Sequence, residues 1–442
     1  MRRFELLLIF CGVVTAASPQ VKLDYATYVG TSLAAGVNQF LGMRFAAPPL
    51  GNRRWRAPED PLVETSPVQA SAYGSICYNL GAAFDPTATT LSEDCLFIDV
   101  YSPSGASETS ELPVWFFIQG GGYIQNSNAN YNGTGVIVES GRNIVVVNFN
   151  YRVSAFGFLA SERVARDGTL NFGLLDQRKA LLWVQKYISK FGSDPNHVVI
   201  HGVSAGLLNR ISGCGGSVTH HLTAFGGCND GLFIGAIGDS VFWPREAPVP
   251  ELEFQFDLFA AAAGCINVTD QIACLRTQNT STLVAANVVH SFQGRLYPLR
   301  SPLPNHAPFF PSAAAANFIA AQINRVRQLV WNYRFSVVQA NDATAGLGVP
   351  HASELPAIFG PAFIPGGSST TFATTNAPIV PVVMNYCISF IRSLNPNPHR
   401  FFNATNQRRL KFVLNDTHVE EIPVNENMRC AFWNEIGARI EQ

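Results

Sequence analysis

Residues His197 to Gly206 read HVVIHGVSAG, and this stretch decides the fold. Its first half, HVVIH from His197 to His201, is short and β-branched and follows the breakers Gly192 and Pro195. That is the pattern of a strand buried on both faces. The strand runs straight into Gly202-Val203-Ser204-Ala205-Gly206, a G-x-S-x-G pentapeptide. A serine at a sharp strand-to-helix turn has its hydroxyl thrust out of the sheet. The flanking glycines are needed because larger side chains collide in so crowded a turn. The pentapeptide alone recurs by chance in glycine-rich chains, and the strand in front of it is what makes it specific. Ser204 is therefore the candidate nucleophile.

Working outward, DQRKALLWVQKYISKF from Asp176 places Ala180, Trp183, Val184, Tyr187, Ile188 and Phe191 at helical spacing. Lys179, Gln185 and Lys190 fall on the wet side. Upstream, Pro113 to Gln119 (PVWFFIQ) and Ile144 to Asn150 (IVVVNFN) read as central strands. Strand, helix and strand in succession predict a parallel crossover. Later, Val330 to Phe335 and Lys411 to Leu414 read as further strands, Ala313 to Ala321 as a small-residue helix, and Pro361 to Pro381 as a long loop.

Gly120-Gly121-Gly122 closes the strand PVWFFIQ. Backbone without side chains can bring its N–H groups close to a developing oxyanion. With an elbow downstream, Gly121, Gly122 and Ala205 become the predicted oxyanion donors. The alternative is a plain flexible turn.

Composition narrows the partners. The chain has 442 residues, 47% apolar and 14% charged, which excludes a disordered tail protein. Thirty Lys and Arg against 31 Asp and Glu leave no surplus to neutralise phosphates, so nucleic acid is not an expected partner. Arg2 and Arg3, the apolar run Leu6 to Val14, and Thr15-Ala16-Ala17 follow the order of a secretory signal, expected to be cut after Ala17. No later stretch is long and apolar enough to be read as a membrane span. Removing Cys11 leaves Cys77, Cys95, Cys214, Cys228, Cys265, Cys274, Cys387 and Cys430, an even set suited to an oxidising compartment, with pairing open. The spacing of Cys and His fits no metal site. Sequons begin at Asn132, Asn267, Asn279, Asn403 and Asn415.

Together, EDCLFIDVYSP from Glu93, the GGG turn and FGSDPNHVVIHGVSAG resemble the paired signatures of the type-B carboxylesterase and lipase family, in wording nearest its fungal secreted members. The likeness runs from about Tyr25 to Trp433. It implies an α/β-hydrolase fold: a largely parallel central sheet flanked by helices, as one domain over 18–442 behind a leader at 1–17. It further implies a serine, histidine and acid triad in which His351, in GVPHASELPAIFG, is the base. A neutral imidazole takes the hydroxyl proton and returns it to the leaving alcohol. His290, His306, His399 and His418 read as surface or structural imidazoles. Disulfides Cys77 to Cys95 and Cys265 to Cys274, and an Arg54–Glu93 ion pair, are implied by the same resemblance.

Two departures from the family make the fold incomplete or perturbed. Leu207 to Cys214 (LLNRISGC) stands as an insertion between the elbow and its helix, so that helix is expected to be disturbed. The segment that would carry the triad acid is missing: from Ser281 to Pro350 the only carboxylate is Asp342, in no acid motif, and the catalytic acid is left unknown. Without an acid the imidazole settles in the wrong tautomer, at a cost of about ten-thousandfold in the serine-protease case. Both departures are abrupt, which points to an unremoved intron at 207–214 and a wrong junction near Val289 to Asn305.

The expected function is a secreted serine carboxylic-ester hydrolase that acts through an acyl-serine intermediate on a small apolar ester or lipid. No cofactor or metal is needed. The alternative is a catalytically impaired homologue or binding protein on the same scaffold.

Overall fold

The computed structural model describes residues 18–87, 89–126, 129–203, 215–241, 248–288, 290–292, 295–297, 329–396 and 408–436. The leader at 1–17, Ser204, Ala205, the insertion Leu207 to Cys214, most of the junction near Val289 to Asn305, the stretch Ala313 to Ala321, His306, His399 and Asn403 lie outside them.

Seven strands build the main sheet: β1 (Thr31–Leu33), β2 (Val37–Arg44), β3 (Phe97–Pro103), β4 (Leu112–Ile118), β5 (Val145–Phe149), β6 (Ser193–Val203) and β7 (Gly235–Asp239). Their order is β7-β6-β4-β5-β3-β2-β1. Pairing is parallel between β4 and β5, β4 and β6, and β6 and β7, and antiparallel from β5 through β3 and β2 to β1. The parallel character read from the strand-helix-strand run therefore belongs to the half of the sheet that ends at the serine. The first strands join by antiparallel pairing, which needs no crossover helix.

The parallel strands are apolar on both faces because helices cover both. Val114, Phe116, Val198 and Ile200 pack on one side with Ala180, Leu181, Val184 and Ile188. The intervening Trp115, Phe117, Val199 and Val203 point to the other side, against Ile358, Phe359, Ile388 and Ile391. The first group of helical residues comes from α1 (Phe172–Tyr187) and the 3-10 turn Ile188–Phe191 that Gly192 closes at φ 90°. α2 (Gly215–Gly227) lies against β6 and β7, with a break at Ala224 to Gly226.

A second sheet holds β8 (Tyr333–Phe335), β9 (Arg408–Phe412) and β10 (His418–Glu421), at the two late strands anticipated from the sequence. The loop expected over 361–381 is only partly one. It contains 3-10 turns at Pro361–Phe363, Gly367–Ser369 and Thr371–Ala373, and a helix already begins at Ile379. Pro381 sits in the first turn of that helix, where a missing N–H leaves no bond unmade. That helix (Ile379–Ser393) and the short one at Leu355–Phe359 supply the apolar side chains on the second face.

Disulfides join Cys77 to Cys95 and Cys265 to Cys274, as the resemblance implied. The ion pair it implied is also formed: Arg54 Nη2 donates to Glu93 Oε2 at 2.7 Å, and Arg54 Nε to Oε1, both side chains buried. Cys228 and Cys387 form no disulfide, and Cys214 lies outside the described residues.

Candidate active site

Three chain segments meet at the carboxyl edge of the parallel strands. The first is the glycine turn after β4. Gln119 fixes its entry: Nε2 donates to Asn126 Oδ1 at 2.7 Å and Asn150 Oδ1 at 2.9 Å, while Tyr151 Oη donates to its carbonyl at 3.0 Å. Gly121 then adopts φ 130° and Gly122 φ 63°, and the Gly121 carbonyl accepts from the N–H groups of Ile124 and Gln125. A Cβ on Gly121 would stand 1.8 Å from the Gln125 carbonyl oxygen, so glycine is required here.

The second segment is the end of β6. The register pairs Gly202 with Ile118, so Gly120 and Ser204 each follow two residues beyond a paired position on adjacent parallel strands. Ser204 and Ala205 themselves lie outside the described residues. The next described element is α2, from Gly215, and it is seated on α1: Gln177 Nε2 donates to Ser217 Oγ at 3.0 Å, and Gln177 Oε1 lies 2.9 Å from His221 Nε2. Burial holds His221 down to about 3, so its ring is neutral and Nε2–H is the donor. Ser217 Oγ also meets Tyr123 Oη at 3.3 Å, joining α2 to the residue after the glycine turn. The disturbance expected of this helix is thus not seen from Gly215 to Thr223. Residues 204–214 separate it from β6.

The third segment carries His351. β7 ends at Asp239, paired with Val203 of β6, and the next residue, Ser240, holds the histidine loop. Ser240 Oγ accepts from Ala352 N–H at 3.0 Å and donates to Glu354 Oε1 at 2.8 Å. Burial pushes the His351 imidazole down to about 4, so it is an unprotonated base at neutral pH. Burial, reinforced by the charge of Asp239, raises Glu354 to about 7.

Asp342 is buried in a short helix, with Gln339 Nε2 3.4 Å from its Oδ2. Sequence reasoning missed the buried carboxylates Asp239 and Glu354. The available signals were an acidic residue closing a strand next to the nucleophile strand, and one three positions after the histidine. Among the described residues no group of three His, Cys, Asp or Glu side chains could hold a metal ion.

A mixed sheet whose parallel strands bring the end of the strand before Ser204, a glycine turn and a late histidine loop to one edge is the α/β-hydrolase arrangement. Residues 17–313 match the Carboxylesterase family, and the chain belongs to it. The crystal structure of Aspergillus niger EstA superposes with a TM-score of 0.87 at 40% identity, covering 96% of this chain and 99% of that one. Lipase 1 of Geotrichum candidum is 31% identical over 311 residues, which is 61% of this chain and 54% of that protein. Secreted lipase 1 of Botryotinia fuckeliana is 34% identical over 311 residues, 64% of this chain and 51% of that protein. The chain spans about half the length of these curated relatives.

Proposed function

We propose that this protein is a secreted serine hydrolase of carboxylic esters. Ser204 Oγ attacks the ester carbonyl while His351 takes its proton. Gly121, Gly122 and Ala205 N–H groups hold the oxyanion. Collapse expels the alcohol, which leaves with the proton from His351, and water repeats the sequence on the acyl-serine. The observation that supports the reading is the register: Gly202 beside Ile118 and Val203 beside Asp239 bring the end of the strand that precedes Ser204 to the same edge as the glycine turn and the anchor of the histidine loop.

The substrate is a small apolar ester or a lipid ester; the lipases among the relatives support the second of these. Export is supported by the order of residues 2–17 and by the name secreted lipase on relatives; among the described residues no helix is long and apolar enough to cross a membrane. Residues 18–442 act as one hydrolase domain.

One observation favours a second reading, a scaffold without turnover: residues 204–214 stand between β6 and α2, and the acid segment is missing from the sequence. Fluorophosphonate labelling of the purified protein decides between them. Labelling that disappears in Ser204→Ala supports the hydrolase; a folded protein that never labels supports the inactive scaffold.

A further inference from the structure

Apart from His351 and the glycine turn, a buried polar cluster surrounds Asp239, the last residue of β7. Its Oδ2 lies 2.5 Å from His201 Nε2, and Tyr333 Oη donates to its Oδ1. On the other side of the ring, Trp115 Nε1–H donates to His201 Nδ1 at 2.9 Å. An indole N–H can only donate, so Nδ1 carries no proton and Nε2–H is the group given to Asp239. Trp115, His201 and Asp239 are each at most 1% exposed, and the Phe359 ring lies parallel to the imidazole within 8°. The tautomer of His201 is therefore fixed from both sides.

A buried carboxylate met by two neutral donors is a costly choice where an apolar side chain would also pack. What the carboxylate adds is a directional joint. This joint links four strands: β4 through Trp115, β6 through His201, β7 through Asp239 and β8 through Tyr333. β6 delivers Ser204 three residues after His201, and β8 leads into the His351 loop. The residue after Asp239 is Ser240, which holds Ala352 N–H. Any shift of Asp239 therefore moves the nucleophile strand against the histidine loop.

We propose that Asp239 is a positioning residue for ester hydrolysis, setting the end of β6 against the His351 loop by clamping His201 and Tyr333. This rests on the ester-hydrolase reading above. Asp239 touches no substrate and acts through its neighbours.

Asp239→Asn tests it. The amide is isosteric, but when its oxygen is kept for Tyr333 its N–H group faces His201 Nε2–H. Flipping the tautomer only sets Nδ1–H against Trp115 Nε1–H. We expect kcat on p-nitrophenyl acetate to fall at least about tenfold with KM within about twofold, the signature of misaligned groups. Trp115→Phe in the same chain removes the opposing donor, lets His201 accept from Asn, and should restore at least half the loss on a logarithmic scale. Imidazole 15N spectra give a readout that does not need turnover. Wild type should show His201 as the Nε2–H tautomer, and Asp239→Asn should shift the His351 ring signals. Wild-type kcat in Asp239→Asn, no restoration in the double variant, or unmoved His351 signals would overturn the proposal. A wild type without esterase activity whose His351 signals still move in Asp239→Asn refutes the hydrolase reading while leaving the positioning joint standing.

Discussion

Ser240 holds the backbone of Ala352, its Oγ 3.0 Å from that N–H and 2.8 Å from Glu354 Oε1. Ala352 sits at φ 60°, a conformation that costs a non-glycine residue about 1 kcal/mol or more and persists only where its surroundings enforce it. The Ser240 hydroxyl is such an enforcement, one residue from the imidazole. Ser240→Ala should lower kcat by about tenfold to a hundredfold with little change in KM, and destabilise by about 1–3 kcal/mol through the unpaired N–H. Steady-state kinetics beside urea unfolding measures both, and a variant with wild-type kcat would show that the loop is held by other contacts.

The low pKa of His351, about 4, comes from burial. In the unfolded chain the ring returns to its ordinary value near 6.5, so folding favours the neutral form. Stability from this group is present above pH 6.5 and is lost as pH falls from 6.5 through 4, by roughly 3 kcal/mol at about 1.4 kcal/mol per unit. The acid limb of kcat/KM should then lie near pH 4 to 5, and His351→Gln should flatten the loss of stability over that window. A limb at 6.5 or above would mean that a carboxylate stands beside the ring, and the burial account would fail.

Local patterns were legible where packing and chain neighbours decide them. HVVIH, PVWFFIQ and IVVVNFN form strands because helices bury both their faces, and α1 with the 3-10 turn after it buries the six residues the spacing selected. The candidate site was read as residue types in motifs, and of these the positive φ of Gly121 and the burial of His351 are what the structure adds. What stayed hidden depends on register. That Asp239 lies beside Val203, or that Ser240 reaches across to Ala352, follows from sheet pairing over more than a hundred residues, which no local pattern encodes. The early helix start at Ile379 was hidden for a simpler reason: Pro381 reads as a breaker until its position in the first turn is known.

Asp99 gives a stability test away from the site. It is buried in β3, accepts from Gly42 N–H at 2.7 Å, and burial raises it to about 7. A raised carboxylate contributes its stability fully below its unfolded value near 3.9. That contribution is lost as pH climbs through 7. Asp99→Asn keeps an acceptor for Gly42 without the charge. Its stability relative to wild type should therefore improve steadily between pH 4 and 8, as read by urea unfolding. A difference that does not change with pH would show Asp99 to be ionised throughout.

Gly121→Ala probes the oxyanion turn directly. The new methyl would meet the Gln125 carbonyl oxygen at 1.8 Å in a backbone already at φ 130°. The turn cannot open without releasing Ile124 and Gln125, whose N–H groups bond the Gly121 carbonyl at 3.1 and 3.0 Å. Strain of about 1–3 kcal/mol should appear in unfolding, and re-aimed N–H groups should cost at least about a hundredfold in kcat. Gly105→Ala is the control, since nothing lies within 4 Å of its added methyl. Because the same displacement also slows phosphonylation of Ser204, labelling rate and ester turnover should fall together. A folded Gly121→Ala protein with unchanged turnover would remove this glycine from the oxyanion role and leave that role to be found elsewhere on the edge.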